Sequence, residues 1–430
     1  MKETKFLMEE ELNMLKARKT VLNGTVTVSG AKNSALRLLA ASLLTEDKIE
    51  LFNFPSGLLD IQLHIDMLNV LGKECLSTEN YICINQTEKC VTELIWDKRS
   101  IRNTLLILGA VTAKYGHGKV PLPGGCKLGD RKFDLHIMLL QKLGARVWEE
   151  DGYLCAESNG KLKASNIFLP IRSTGATENS IICASLAIGT TRIFNPHIRP
   201  EIIDLIHLLK KMGAKITICG QDYIEVTGVD YLKGTKHTVI PDNMEALTWM
   251  IGAAVTNGEV EIENFPFHHL EVPLIHLRES GLKFFTGENS VIIKKSVPTS
   301  LDIATGPYPG INSDMQPLLA IYGCCAVGTT KITDLRFRRR YEYARELQKM
   351  GANSTMLDDT LIIHGGRKLN GAHVKATDLR AGIALLLAGF IASGETIIED
   401  AWQIFRGYDR LEEKLVLLGA DSFSELKLTL

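Results

Sequence analysis

Apolar residues spaced three and four apart give way, at six places along the chain, to a glycine and then a short alternating stretch. The copies read IDMLNVLGKEC, IMLLQKLGARV, IHLLKKMGAKI, LIHLRESGLKF, ARELQKMGANS and EEKLVLLGADS, with their glycines at Gly72, Gly144, Gly213, Gly281, Gly351 and Gly419. Successive glycines lie 72, 69, 68, 70 and 68 residues apart. The three-and-four spacing predicts an amphipathic helix, and the alternation after it predicts a strand. The glycine fits a left-handed helix C-cap, where a Cβ would clash. A second element recurs in step: a small-residue helix, a glycine turn and an alternating strand. Its copies begin at Leu39, Leu108, Cys183, Ile251, Leu319 and Leu387. A fixed period of this kind signals repeated supersecondary units.

Six copies of strand, helix, strand, helix, strand account for nearly all of the 430 residues. That length exceeds what one hydrophobic core usually spans, so two domains are expected. Three copies in each give domains of about 200 residues, within the usual range. The hinge is expected near Gly228 to Pro241, between copies three and four, and the ligand cleft between the two domains.

Composition changes this picture little. At 45% hydrophobic and 23% charged, the chain carries enough apolar residues to fold. A net charge of -1 argues against a nucleic-acid partner, which usually requires a basic excess. The nine cysteines show no CxxC pair and no zinc spacing, which fits reduced thiols and a cytoplasmic location. The first twenty residues lack the uninterrupted apolar core of a signal peptide. No apolar run reaches membrane-spanning length; the longest, such as Ala381 to Ala392, suit buried helices, so no membrane insertion is expected.

Four places could carry chemistry. Ser29-Gly30-Ala31-Lys32-Asn33 sets a lysine at a helix start, where amides and charge together suit an anion; alone, it reads best as a surface lysine. Pro123-Gly124-Gly125-Cys126-Lys127-Leu128-Gly129-Asp130-Arg131 is a glycine-rich loop whose thiol has basic neighbours that favour the thiolate. Asn312-Ser313-Asp314-Met315-Gln316 follows a Gly/Pro turn, and taken alone Asp314 reads as a helix N-cap. Arg102, Arg340, Arg380 and Arg406 fall at repeat junctions, which suggests a shared anion bearing carboxylate and phosphate. No P-loop, GxSxG or HExxH motif is present.

At SGAKN, PGGCKLGDRKFDLH, STGATEN, NSDMQ, TDLR and RGYDRLEEKL, in order from about Gly24 to Gly419, the chain resembles the enolpyruvyl transferases of the cell-wall branch. The resemblance implies an α/β fold: two inside-out α/β barrels built from six repeated units. Residues 32–240 would form the first domain and 1–31 with 241–430 the second. It implies transfer of the enolpyruvyl group of phosphoenolpyruvate to the 3-hydroxyl of UDP-N-acetylglucosamine, with release of phosphate, as the first committed step of peptidoglycan synthesis. The alternative acceptor is another uridine nucleotide such as UMP, which Lys132 and the basic RFRRRY segment would suit. The shikimate branch shares the architecture but lacks the loop cysteine.

The same resemblance implies roles for individual residues. Lys32, Arg102, Arg131 and Arg406 match groups that hold phosphoenolpyruvate, and Lys32 also counts with Cys126 and Asp314 as catalytic. Cys126 matches the proton donor to its methylene carbon, and the thiol alkylated by fosfomycin. Asp314 matches the acceptor of the hydroxyl proton. Asn33, Arg131, Lys132, Phe133, Asp134, Leu135, Ser173, Thr174, Gly175, Asp314 and Leu335 match positions on the nucleotide acceptor. Arg340, Asp378 and Arg380 match residues that engage on closure. Addition across an enol double bond needs a base at the hydroxyl and an acid at the methylene carbon. No metal or organic cofactor enters this scheme.

Overall fold

The computed structural model describes residues 14–123, 133–337, 340–420 and 424–425. These divide into two compact units: Gly30–Ile240, and the described residues up to Ser29 together with those from Pro241 onward. Each has its own apolar core.

In the unit from Gly30 to Ile240 the helices are α1 Lys32–Ala41, α2 Leu59–Val70, α3 Thr104–Tyr115, α4 Asp134–Lys142, α5 Thr174–Ala184 and α6 Pro200–Lys211. In the other unit they are α7 Asn243–Thr256, α8 Glu271–Glu279, α9 Gln316–Cys325, α10 Glu342–Lys349, α11 Leu379–Ile391, α12 Trp402–Phe405 and α13 Leu411–Leu417. The two sequence patterns sort these helices by position. Small-residue helices that are apolar all round lie at the centre: every residue of α7 is buried, as is Thr104–Ala113 of α3. Striped helices lie outside, and α10 buries only Tyr343, Ala344 and Leu347. In one unit the central helix α3 packs against both α1 and α5, and in the other α7, α9 and α11 pack against one another.

Among the described residues the strands form six separate sheets, not a closed ring. Five share one plan: a parallel pair followed by two antiparallel partners. Asp302–Ala304 runs parallel to Thr329–Thr333, which pairs antiparallel with Thr360–His364, and that with Asn353–Leu357. The sixth has three strands, with a single parallel bridge, Glu93 to Lys119, where the fourth would lie. Burial alternates along the middle strands, as in Ser290–Lys294 and Tyr223–Thr227, so one face of each packs on the helices. This is mixed α/β architecture with helices at the centre of each unit.

Two strands pair far from their sequence neighbours. Asn23–Thr27 precedes α1 but runs parallel to Glu259–Glu263. Met14–Ala17 pairs antiparallel with Thr396–Glu399, taking the place that the hairpin strand fills in other copies. Thr235–Thr238 completes the sheet of the first copy beside Ile49–Phe52. All six repeat glycines have φ between 77° and 106°, the left-handed C-cap that their spacing predicts. No helix among the described residues is long and apolar enough to cross a membrane.

Candidate active site

In the unit from Gly30 to Ile240, the chain enters α1 through a narrow passage. A Cβ on Gly30 would lie 1.8 Å from the Asn53 carbonyl oxygen, so only glycine fits. The Asn53 amide donates to Val239 O and the Ala31 N–H donates to Ile240 O, fixing the turn. Among the described residues no side chain caps the N-terminus of α1, and its first turn carries no acid. Lys32 is not the surface lysine that its segment alone suggests. It is 5% exposed, and its ammonium meets Asp60 of α2 at 2.7 Å. Arg99 reaches the other Asp60 oxygen at 3.1 Å. One buried carboxylate thus serves two cations beside a helix N-terminus that no described side chain caps, an arrangement suited to a multiply charged anion.

Side chains tie the central helices in a ring. Asn103 of the α3 N-cap donates to Leu36 O of α1, and Asn179 of α5 donates to Leu105 O of α3. Arg37 of α1 closes the ring on Glu178 of α5 at 2.8 Å and reaches Asn33 Oδ1 at 3.5 Å. Asn103 and Asn179 also donate to Nδ1 of His64 and His136, at 3.0 and 3.1 Å. Each amide nitrogen also faces a carbonyl, so it must be the donor and the ring nitrogen the acceptor. Both imidazoles are buried and neutral. Burial pushes each pKa down to about 3, helped by Arg37 beside His64 and by Arg102 beside His136.

His136 gathers several expected acceptor positions. It follows Asp134 and Leu135 in α4, and Gly175 packs so closely on its ring that a Cβ would lie 3.1 Å from Nε2. Ser173 caps α5 by accepting from the Ala176 N–H, and the Thr174 hydroxyl meets His197 at 2.8 Å. Phe133 and Leu135 are half-buried and Asp134 is exposed. Cys126, Arg131 and Lys132 lie outside the described residues, so the thiol and two of the expected cations have no described position.

In the other unit, Asp314 is not the helix N-cap that its segment suggests. The Asn312 side chain caps that turn by accepting from the Asp314 N–H. This frees the Asp314 carboxylate, 30% exposed, to meet Arg340 at 2.7 Å. The same guanidinium donates to Asp378 at 3.2 Å, while the second Asp378 oxygen caps α11 through the N–H groups of Arg380 and Ala381. Burial disfavours charge on Arg340, but Asp314 and then Asp378 outweigh it and hold the guanidinium more firmly protonated than usual. Arg380 is 1% exposed and lies over the Tyr408 ring, whose hydroxyl meets Thr248 at 2.9 Å. Arg406 is buried and donates to Gln403 Oε1 at 2.7 Å; the next residue, Gly407, packs against Leu379 and Arg380. Leu335, by contrast, is 69% exposed.

Several supporting residues escape the sequence reading: Asp60, Arg99, Arg37, Glu178 and the two histidines. His64 and His136 carried a signal, since each sits eight residues before a repeat glycine. A further buried cluster joins distant segments. Lys414 pairs with Glu245 and donates to the Ser29 hydroxyl at 2.6 Å, while the Ser29 N–H donates to Glu245 at 3.0 Å.

The chain matches the family model described as EPSP synthase (3-phosphoshikimate 1-carboxyvinyltransferase) over residues 16–415. It is 42% identical over 419 residues to UDP-N-acetylglucosamine 1-carboxyvinyltransferase 1 of Caldanaerobacter subterraneus subsp. tengcongensis, covering 97% of this chain and 98% of that one. It is 41% identical over 409 residues to UDP-N-acetylglucosamine 1-carboxyvinyltransferase of Vibrio atlanticus, covering 94% and 96%. Among solved structures, the enolpyruvyl transferase NikO from Streptomyces tendae matches with a TM-score of 0.85 at 23% identity, covering 96% of this chain and 98% of that chain. EPSP synthase from Acinetobacter baumannii matches with a TM-score of 0.72 at 19% identity, covering 96% and 99%. The structural likenesses carry the fold alone, while the family match and the curated relatives carry the kinship: the chain belongs to the enolpyruvyl transferase family of EPSP synthase and the UDP-N-acetylglucosamine 1-carboxyvinyltransferases.

Proposed function

We propose that the protein transfers the enolpyruvyl group of phosphoenolpyruvate to the 3-hydroxyl of UDP-N-acetylglucosamine and releases phosphate. The observation that carries this reading is the 42% identity, over 97% of the chain, to a relative named for that activity. In this reading the enzyme acts in the cytoplasm, where peptidoglycan precursors would be made.

The reaction is an addition followed by an elimination. The acceptor oxygen bonds to C2 of phosphoenolpyruvate as its hydroxyl proton leaves, and C3 gains a proton. The tetrahedral phospholactoyl adduct then loses a proton from C3 and expels phosphate, restoring the double bond. Asp314 is assigned as acceptor of the hydroxyl proton. Its partial exposure fits a group that must reach substrate, and the buried Arg340 fits a group that orients it. Lys32 is assigned to phosphoenolpyruvate with Arg102, Arg131 and Arg406. Fixed cations of this kind stabilise charge that develops on phosphate and carboxylate. Cys126 is assigned as proton donor to C3. Asn33, the Arg131–Leu135 segment, Ser173–Gly175 and Leu335 are assigned to the nucleotide, with Asp378 and Arg380 supporting closure.

The direct test is to incubate the purified chain with phosphoenolpyruvate and the sugar nucleotide and follow products by proton and phosphorus NMR. A vinyl ether on the sugar together with free phosphate is the expected result. Phosphate release without a vinyl ether would make the chain a phosphatase and reject the reading.

A further inference from the structure

Asp334 lies in none of the roles above, yet it sits at the centre of the hydrogen bonding around Asp314 and Arg340. It is 1% exposed and receives five donors. One carboxylate oxygen accepts from the Thr305 hydroxyl at 2.7 Å and from the N–H groups of Arg336 and Phe337 at 2.8 and 3.0 Å. The other accepts from the Ser313 hydroxyl at 2.6 Å and from the Gln316 amide at 2.5 Å. Its own N–H donates to the Tyr341 hydroxyl at 2.8 Å.

These partners bracket the ion pair from both sides. Ser313 immediately precedes Asp314, and its hydroxyl also accepts from Arg340 at 3.3 Å. Gln316 opens α9 just after Asp314, and its Oε1 accepts from Tyr343 at 3.1 Å. Arg336 and Phe337 precede Arg340 in the chain, and Tyr341 follows it directly. One carboxylate therefore ties the segment bearing Asp314 to the segment bearing Arg340. A carboxylate only accepts, and every group facing it donates.

We propose that Asp334 is a positioning residue for the reaction: it holds Asp314 and Arg340 at their 2.7 Å separation, so that the carboxylate meets the acceptor hydroxyl in one orientation. This rests on the assignment of Asp314 and Arg340 made above. Displacing a catalytic group by about 1 Å can cost about a hundredfold in rate. An asparagine here would turn an N–H₂ toward two or more donors and release one side of the bracket.

The test is a double-mutant cycle in the full chain, using Asp334→Asn, Arg340→Ala and the pair, read by turnover and by urea unfolding. Asp334→Asn is expected to lower kcat by about tenfold or more while KM for phosphoenolpyruvate moves less than about threefold. In the Arg340→Ala background the same change should cost less than about threefold in kcat. The unfolding equilibrium should likewise show coupling of about threefold or more. Ser313→Ala, which removes one link and leaves the Arg336 and Phe337 N–H bonds in place, should lower kcat in the same direction if Asp334→Asn fails to fold. Equal factors in both backgrounds, or a KM effect alone, would overturn the proposal. A wild-type chain without transferase activity would reject the functional reading instead, and the urea cycle would then decide the positioning alone: coupling upholds it and additivity overturns it.

Discussion

Replacing Asp60 by alanine removes the carboxylate that Lys32 and Arg99 share. The side chains of Lys32 and Asp60 are 7% and 6% exposed and their charges lie 2.7 Å apart, so the pair is shielded from water. Arg99, at 23% exposed, is better hydrated and contributes less. Breaking a buried ion pair from one side typically costs about 3–5 kcal/mol, because the remaining charge stays desolvated. In a unit of this size each kcal/mol moves the melting temperature by about 2–4 °C, so a drop of roughly 6–20 °C is expected. Calorimetry on the full chain measures it. Asp60→Asn keeps the volume and should show most of the loss, which would assign it to charge. Phosphate should recover more stability in Asp60→Ala than in the wild type, since an anion bound beside Lys32 restores the missing charge. Arg192 and Glu225, 51% and 30% exposed, provide the control: Arg192→Ala should leave the melting temperature almost unchanged, because water screens this pair. If both Asp60 variants melt within about 3 °C of the wild type, the buried-pair reasoning is wrong.

Other expectations follow from the same geometry. His64 and His136 stay neutral in the folded chain down to about pH 3, while in the unfolded chain they protonate near pH 6.5. Stability should therefore fall as pH drops below about 6.5, with each histidine adding up to about 1.4 kcal/mol per pH unit to the slope. Urea midpoints at pH 7.5 and 5 would show it, and a His136→Leu chain with an unchanged slope would refute it. Lys414→Met leaves Glu245 buried without its ammonium and should destabilise the chain by about 3 kcal/mol or more in urea unfolding. Cys126→Ser should abolish alkylation by fosfomycin, read by intact mass; labelling that persists at another cysteine would remove Cys126 from the reaction.

The repeat was legible because it depends on local rules. A glycine at a helix end and a 3.6-residue stripe write themselves into sequence, and the long apolar runs marked buried helices, though not their central position. Strand partners were not legible, because alternation gives a strand its faces but not its neighbour; nothing near Asn23–Thr27 points to Glu259–Glu263. Local reading also misjudged Lys32 and Asp314. Lys32 looked exposed because its partner Asp60 comes from the next helix, and Asp314 looked like a cap because the competing cap, Asn312, lies only two residues away. One signal was in plain view. The tetrapeptide Thr-Asp-Leu-Arg occurs at Thr333–Arg336 and again at Thr377–Arg380. In both, the aspartate accepts from the backbone N–H groups two and three residues on, yet only the second copy was singled out.

The central claim is the identity of the acceptor, and one comparison tests it most directly: phosphate release from phosphoenolpyruvate by the purified chain, with UDP-N-acetylglucosamine in one reaction and UMP in the other. The account predicts rapid release with the sugar nucleotide and none above background with UMP. Release with UMP alone would contradict it, leaving the enolpyruvyl chemistry intact and assigning the chain a different acceptor.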